Sequence, residues 1–205
     1  DELKLINTIE EKKEILNELG VNELIIQEFN NDFSNLNADE FIGHLTKYCK
    51  IKEIIVGFNH KFGKNREAGI KELKTYGKKY GFDVTEISAF DINQINISST
   101  KIRNAIDQGK VELCSQYLGY NFSLSGTIVK GKSRGKHIGY PTANINVDEN
   151  YKIIPKNGVY FVSCKTQSIQ KFGMMNIGYN PTFGNKDLTI EVNIFEFDGN
   201  IYGEK

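Results

Sequence analysis

Leu188-Thr189-Ile190-Glu191-Val192-Asn193-Ile194 alternates apolar and polar side chains without a break. A period of two puts Leu188, Ile190, Val192 and Ile194 on one face of a strand and Thr189, Glu191 and Asn193 on the other, the pattern of an antiparallel sheet with one side on a core. Continuing to Phe197, this strand has shorter companions at residues 125–130, 158–164 and 171–177, separated by Gly, Asn and Pro turns. The second half of the chain is therefore expected to form a small antiparallel barrel. Met174 and Met175 fall inside one of these strands and read as packing residues. Glu191 stands mid-strand on the polar face, where a carboxylate is by default simply solvated.

The other conspicuous stretch of this half is Gly131-Lys132-Ser133-Arg134-Gly135-Lys136-His137-Ile138-Gly139-Tyr140-Pro141-Thr142-Ala143-Asn144. Gly131, Gly135 and Gly139 leave backbone N–H groups open to close approach by an anion, and Lys132, Arg134 and Lys136 add three cationic side chains. That combination suits a polyphosphate. Pro141 fixes the backbone, and in an extended segment Thr142 and Asn144 share a face, offering hard oxygen ligands for Mg²⁺. Spacing alone fits a basic surface hairpin equally well. The loop is not read as a Walker A motif, since no helix is signalled after it.

The 205 residues carry 26 basic and 26 acidic side chains, so the footprint of a general nucleic-acid binder is missing and any cationic site is local. Cys49, Cys114 and Cys164 are scattered and odd in number, which argues against a disulfide framework or a zinc site. No apolar run reaches membrane-spanning length and no signal pattern opens the chain, so a cytoplasmic protein without membrane or nucleic-acid partners is expected.

The first half alternates helix and strand patterns, as a parallel sheet with crossover helices does. Thr8 with Glu11 has capping-box spacing ahead of Ile9, Ile15, Leu16 and Leu19, with Gly20 as a stop. A strand is expected at 23–27, a helix capped by Asn37 and Glu40 with Phe41, Leu45 and Tyr48 on one face, and a buried strand at 53–57. A helix at 70–80 and a strand at 82–87 complete a further unit. Ser98 or Ser99 can cap a helix whose N-terminus carries Lys101 and Arg103, a favourable place for phosphate, although an ordinary Ser-capped helix looks the same. A last helix at 111–118 ends at Gly119, and 120–123 make the junction between an α/β domain of residues 1–119 and a barrel domain of residues 120–205.

Gly-Tyr-Pro-Thr-Ala-Asn behind the Gly/Lys/Arg loop resembles the ATP-Mg²⁺ segment of riboflavin kinases. Phe197-Asp198-Gly199 after Glu196 resembles that family's turn following the strand with its catalytic Glu, which implies the base role for Glu191. Asn176 to Gly184 resembles the segment beside the flavin. In the first half, Gly57-Phe58-Asn59-His60-Lys61-Phe62-Gly63 and Ile97-Ser98-Ser99-Thr100-Lys101-Ile102-Arg103 are similar to two ordered motifs of bacterial FMN adenylyltransferases, whose domain is of the Rossmann-like nucleotidyltransferase type. By that resemblance Asn59, Phe62 and Gly63 line the nucleotide and flavin pocket, and Ser99, Thr100 and Arg103 meet ATP phosphates. Gly131, Lys132, Arg134, Gly135, Gly139 and Pro141 would cover the kinase's ATP, with Thr142 and Asn144 as metal ligands.

The resemblance implies a bifunctional enzyme of flavin cofactor synthesis, using ATP and Mg²⁺ to convert riboflavin to FMN and FMN to FAD. The adenylyltransferase family opens with a Gly-x-Phe-Asp-Gly turn and a His-x-Gly-His motif, which this chain does not contain; its histidines are His44, His60 and His137. The expectation is of a chain truncated at the front, and clipped of a last strand and helix at the back, that makes no FAD by itself. The alternatives are a non-catalytic flavin or nucleotide-binding module and, more remotely, a barrel for protein or RNA contact.

Overall fold

A computed structural model describes residues 3–89, 91–92, 95–131, 141–179 and 188–205. In chain order its elements are α1 (Ile9–Glu18), α2 (Asn31–Ser34), α3 (Ala38–Tyr48), β1 (Glu53–Gly57), a 3₁₀ turn (Lys64–Arg66), α4 (Ile70–Tyr80), β2 (Asp83–Ile87), β3 (Asp91–Ile92), β4 (Ile95–Asn96), α5 (Ser99–Asp107), α6 (Val111–Leu118), β5 (Thr127–Val129), β6 (Ala143–Asn146), β7 (Gly158–Lys165), β8 (Gln170–Tyr179) and β9 (Leu188–Ile194). They form two compact units, one of residues 23–97 and one of residues 1–22 with 98–205. The junction expected at 119/120 thus falls inside the second of these.

In the unit of residues 23–97, β1 and β2 pair in parallel, Glu53 opposite Asp83 through Gly57 opposite Ile87. Ile54, Val56 and Val84 turn toward a core of Ala38, Ile42, Phe62, Ala68, Leu73 and Phe82 supplied by α3, α4 and the loop after β1. Asn37 and Glu40 form the expected capping box, each side chain accepting from the other's backbone N–H. Tyr48 does not share the buried face with Phe41 and Leu45; it is exposed.

The strand expected at 23–27 does not form. Residues 21–30 have no regular structure, and Leu24, Ile25, Ile26 and Phe29 are exposed. Strand propensity expresses packing against neighbouring strands, and among the described residues this apolar run has no ladder partner.

In the other unit, five antiparallel strands follow the order β5-β6-β9-β8-β7. The sheet curls because its inner face, Ile128, Met175, Ile177, Ile190, Val192 and Ile194, closes on Ile201 as one core. The C-terminal segment lies along β5: Ile128 donates to the Glu204 carbonyl and Gly203 donates to the Ile128 carbonyl, both at 2.9 Å. The Glu204 carboxylate then accepts from Thr166 and Ser168 in the β7–β8 turn, at 2.6 Å each. These bonds tie the β5 edge to the far end of the sheet, as a barrel requires. Met175 packs in this core as expected, whereas Met174 points outward.

The segment of residues 3–22 is built into the same unit. Leu5 pairs with the 151–153 segment, donating to the Tyr151 carbonyl and accepting from the Ile153 N–H. Thr8 and Glu11 form the α1 capping box, and the Glu11 carboxylate is buried against Lys152 Nζ at 2.5 Å. Its second oxygen accepts from the Ser125 N–H and hydroxyl, while Lys152 also donates to the Ile6 carbonyl and lies 4.4 Å from the Phe122 ring centroid.

Candidate active site

The period of two that defines β9 also places its chemistry. Ile190 and Val192 are buried and lock the strand's register, so Glu191 must face outward from the barrel core. Asn144 of β6 is its partner on one side and Asn176 of β8 on the other. In an antiparallel ladder directly opposite residues lie on the same face, so a row Asn144, Glu191, Asn176 crosses three strands. Thr142 enters the same face, two residues before Asn144, and its hydroxyl is 3.5 Å from Glu191 Oε2.

Gly131 completes the group. A Cβ built on it would overlap the Asn144 side-chain amide, so with that amide where it stands glycine lets the chain leaving β5 pass directly over it. Pro141, at the approach to β6, accepts from Asn193 Nδ2 at 2.9 Å. Gly131, Pro141, Thr142, Asn144 and Glu191, far apart in the sequence, thus converge on one patch of the sheet. Lys132, Arg134, Gly135 and Gly139 lie outside the described residues, as does the 180–184 part of the segment likened to the flavin side.

The remaining expected site residues fall into two sets. Asn59 is exposed after β1, but the Phe62 ring is buried in the core, with centroids 5.7 Å from Phe41 and 6.3 Å from Tyr76. Gly63 has φ 76°, and a Cβ there would come within 2.9 Å of the Ala38 backbone nitrogen, so its backbone makes a turn that other residues cannot. Ser99, Thr100 and Arg103 lie on the first turns of α5, which Ser98 caps by accepting from the Lys101 N–H. Arg103 Nε donates to the Lys4 carbonyl at 2.9 Å. Asn59, Phe62 and Gly63 belong to the unit of residues 23–97, Ser99, Thr100 and Arg103 to the other.

Sequence reasoning did not single out Asn193, and it reached the register partner Asn176 only as the first residue of the segment likened to the flavin side. For Asn193 the signal was the polar face of a strand, which carries no direction; pairing supplies it.

Residues 118–205 match the riboflavin kinase family model and residues 1–101 the FAD synthetase family model. The chain is 37% identical over its whole length to a bifunctional riboflavin kinase/FMN adenylyltransferase of Listeria monocytogenes and 38% identical over 98% of its length to one of Buchnera aphidicola from Schizaphis graminum. It spans 65% and 66% of those curated relatives. A crystal structure from Streptococcus pneumoniae, described as a macrolide-efflux protein, matches 97% of this chain and 64% of its own with a TM-score of 0.84 at 35% identity. With both family models matched in order and sequence identity sustained along the chain, the protein belongs to the bifunctional riboflavin kinase/FMN adenylyltransferase family.

Proposed function

We propose that the barrel, residues 120–205, transfers the γ-phosphoryl group of ATP to the primary hydroxyl of the riboflavin ribityl chain, giving FMN and ADP. The observation that carries this is the row of Asn144, Glu191 and Asn176 with the Thr142 hydroxyl directed at Glu191. In this reading the Glu191 carboxylate takes the hydroxyl proton as the ribityl oxygen attacks phosphorus and the bond to the ADP oxygen breaks. Thr142 orients that carboxylate. Asn144 and Asn176 flank it with amides that accept or donate hydrogen bonds without competing for the proton.

The donor set fits Mg²⁺. Thr142 offers a hydroxyl whose proton points to Glu191, leaving its lone pairs open, and Asn144 offers a side-chain carbonyl; both are hard oxygen ligands. Thr142 and Asn144 would hold the ion, which when bound neutralises phosphate charge. Lys132, Arg134, Gly135 and Gly139 complete the ATP contacts in this proposal.

Residues 1–119 are proposed to serve adenylyl transfer from ATP to FMN: in the unit of residues 23–97, Asn59 and the Gly63 turn, with the Phe62 ring buried as its support, serve nucleotide and flavin, and in the other unit Ser99, Thr100 and Arg103 serve phosphates. Cytoplasmic ATP and flavin are the partners this reading needs. Among the described residues no helix is long and apolar enough to cross a membrane.

The test is direct: purified protein is incubated with riboflavin and Mg·ATP, and the products are separated by chromatography. FMN formation is expected. Mg·ADP binding without FMN would leave a nucleotide-binding module instead of a kinase.

A further inference from the structure

The β6–β9 ladder is short, comprising Ala143 opposite Val192 and Asn144 opposite Glu191. It stops where Pro141 and Thr142 precede it, and Pro141 has no N–H with which to extend it. The Pro141 carbonyl is nevertheless engaged, by the side-chain amide of Asn193 at 2.9 Å. Asn193 therefore adds, from the neighbouring strand, a side-chain bond just beyond the end of the ladder. Between the two anchors sits Thr142, whose hydroxyl meets Glu191 at 3.5 Å, the outer limit of a hydrogen bond. A displacement of a few tenths of an ångström at Pro141 would open that contact.

We propose that Asn193 is a positioning residue of the phosphoryl-transfer site: by donating to the Pro141 carbonyl it fixes the entry to β6 and so sets the Thr142 hydroxyl against Glu191. It touches neither nucleotide nor flavin in this scheme. Its requirement is chemical: the position needs a short donor, so aspartate, of the same shape, would set a carboxylate against a carbonyl and repel it. The catalytic consequence rests on the kinase reading above, whereas the positional claim does not.

The experiment compares the parent with Asn193→Asp, Thr142→Ala and the double variant. Asn193→Asp is expected to lower kcat/KM for FMN formation by about tenfold, the effect of losing one well-placed hydrogen bond. Its melting temperature is expected to stay within about 3 °C, as for a change outside the core. Because Asn193 acts through Thr142, the double variant should be no worse than Thr142→Ala alone, a non-additivity that a merely structural loss would not show. In ¹H–¹⁵N spectra Asn193→Asp should shift the Thr142 and Glu191 amides, while Thr142→Ala should leave the Asn193 side-chain amide in place. Activity within twofold of the parent, or losses that multiply in the double variant, would overturn the catalytic part of the proposal. An unshifted Thr142 amide would overturn the positional part. A parent that makes no FMN defeats the kinase reading and the catalytic role with it, and the spectra still decide whether Asn193 holds Pro141.

Discussion

Glu191 is held by its neighbours more firmly than its polar position suggests. Its strand is fixed by Ile190 and Val192 in the core, and register sets it between Asn144 and Asn176 on the face of the sheet turned away from that core. Glu191→Gln preserves shape and removes the proposed proton acceptor; FMN formation should fall about 10²-fold or more, with Mg·ADP affinity little changed. Turnover within a fewfold of the parent, measured by chromatography, contradicts the base role. Thr142→Ala and Asn144→Ala test a different part of the proposal, since each removes a proposed oxygen ligand of Mg²⁺. Both should weaken Mg·ADP binding in calorimetric titration and raise the Mg²⁺ concentration needed for activity. Unaltered titrations would remove these two residues from the metal site.

At the scale of elements, the patch depends on how the chain leaving β5 passes β6. Asn144 lies so close beneath Gly131 that no side chain fits between them. Gly131→Ala must therefore move either the chain after β5 or the Asn144 amide, because the Ile128 side chain anchors β5 in the core. The expected result is a drop of about tenfold or more in Mg·ADP affinity, the scale on which losing a ligand's orientation weakens metal sites. Global unfolding by heat should change little. A variant that binds Mg·ADP like the parent would show that Asn144 is free to relocate without consequence.

At the scale of the compact unit containing the barrel, the buried pair of Glu11 and Lys152 joins its N-terminal segment to the loop before β7. Burial pushes the Lys152 ammonium below the usual lysine range, against the opposing pull of the Glu11 carboxylate. Desolvating two charges costs nearly what their attraction returns, but removing one partner strands the other. Lys152→Met should thus destabilise the unit by about 3–5 kcal/mol in denaturant unfolding, and Glu11→Gln with Lys152→Met together should recover much of that loss. Equal destabilisation by the single and double variants would indicate that packing around Phe122 and Cys114, not charge, dominates. Cys114, whose thiol burial raises to about 11, should resist thiol reagents in the folded protein.

Local patterns determined much on their own. The caps at Thr8, Asn37 and Ser98, the helices they begin, and the strands 53–57 and 188–194 follow from spacing and periodicity, since each is decided by residues within a turn or a pleat. The family was legible too, because its motifs are short contiguous runs. Tertiary structure alone decided the rest. The apolar run at 23–27 reads as a strand locally but finds no ladder among the described residues, because strand formation needs a partner that sequence distance conceals. Glu11 reads as a capping residue and also becomes half of a buried ion pair with a lysine 141 positions away. Asn193 reads as one more polar residue on a solvated face. Only the meeting of β6 and β9 at a proline gives its amide a carbonyl to hold.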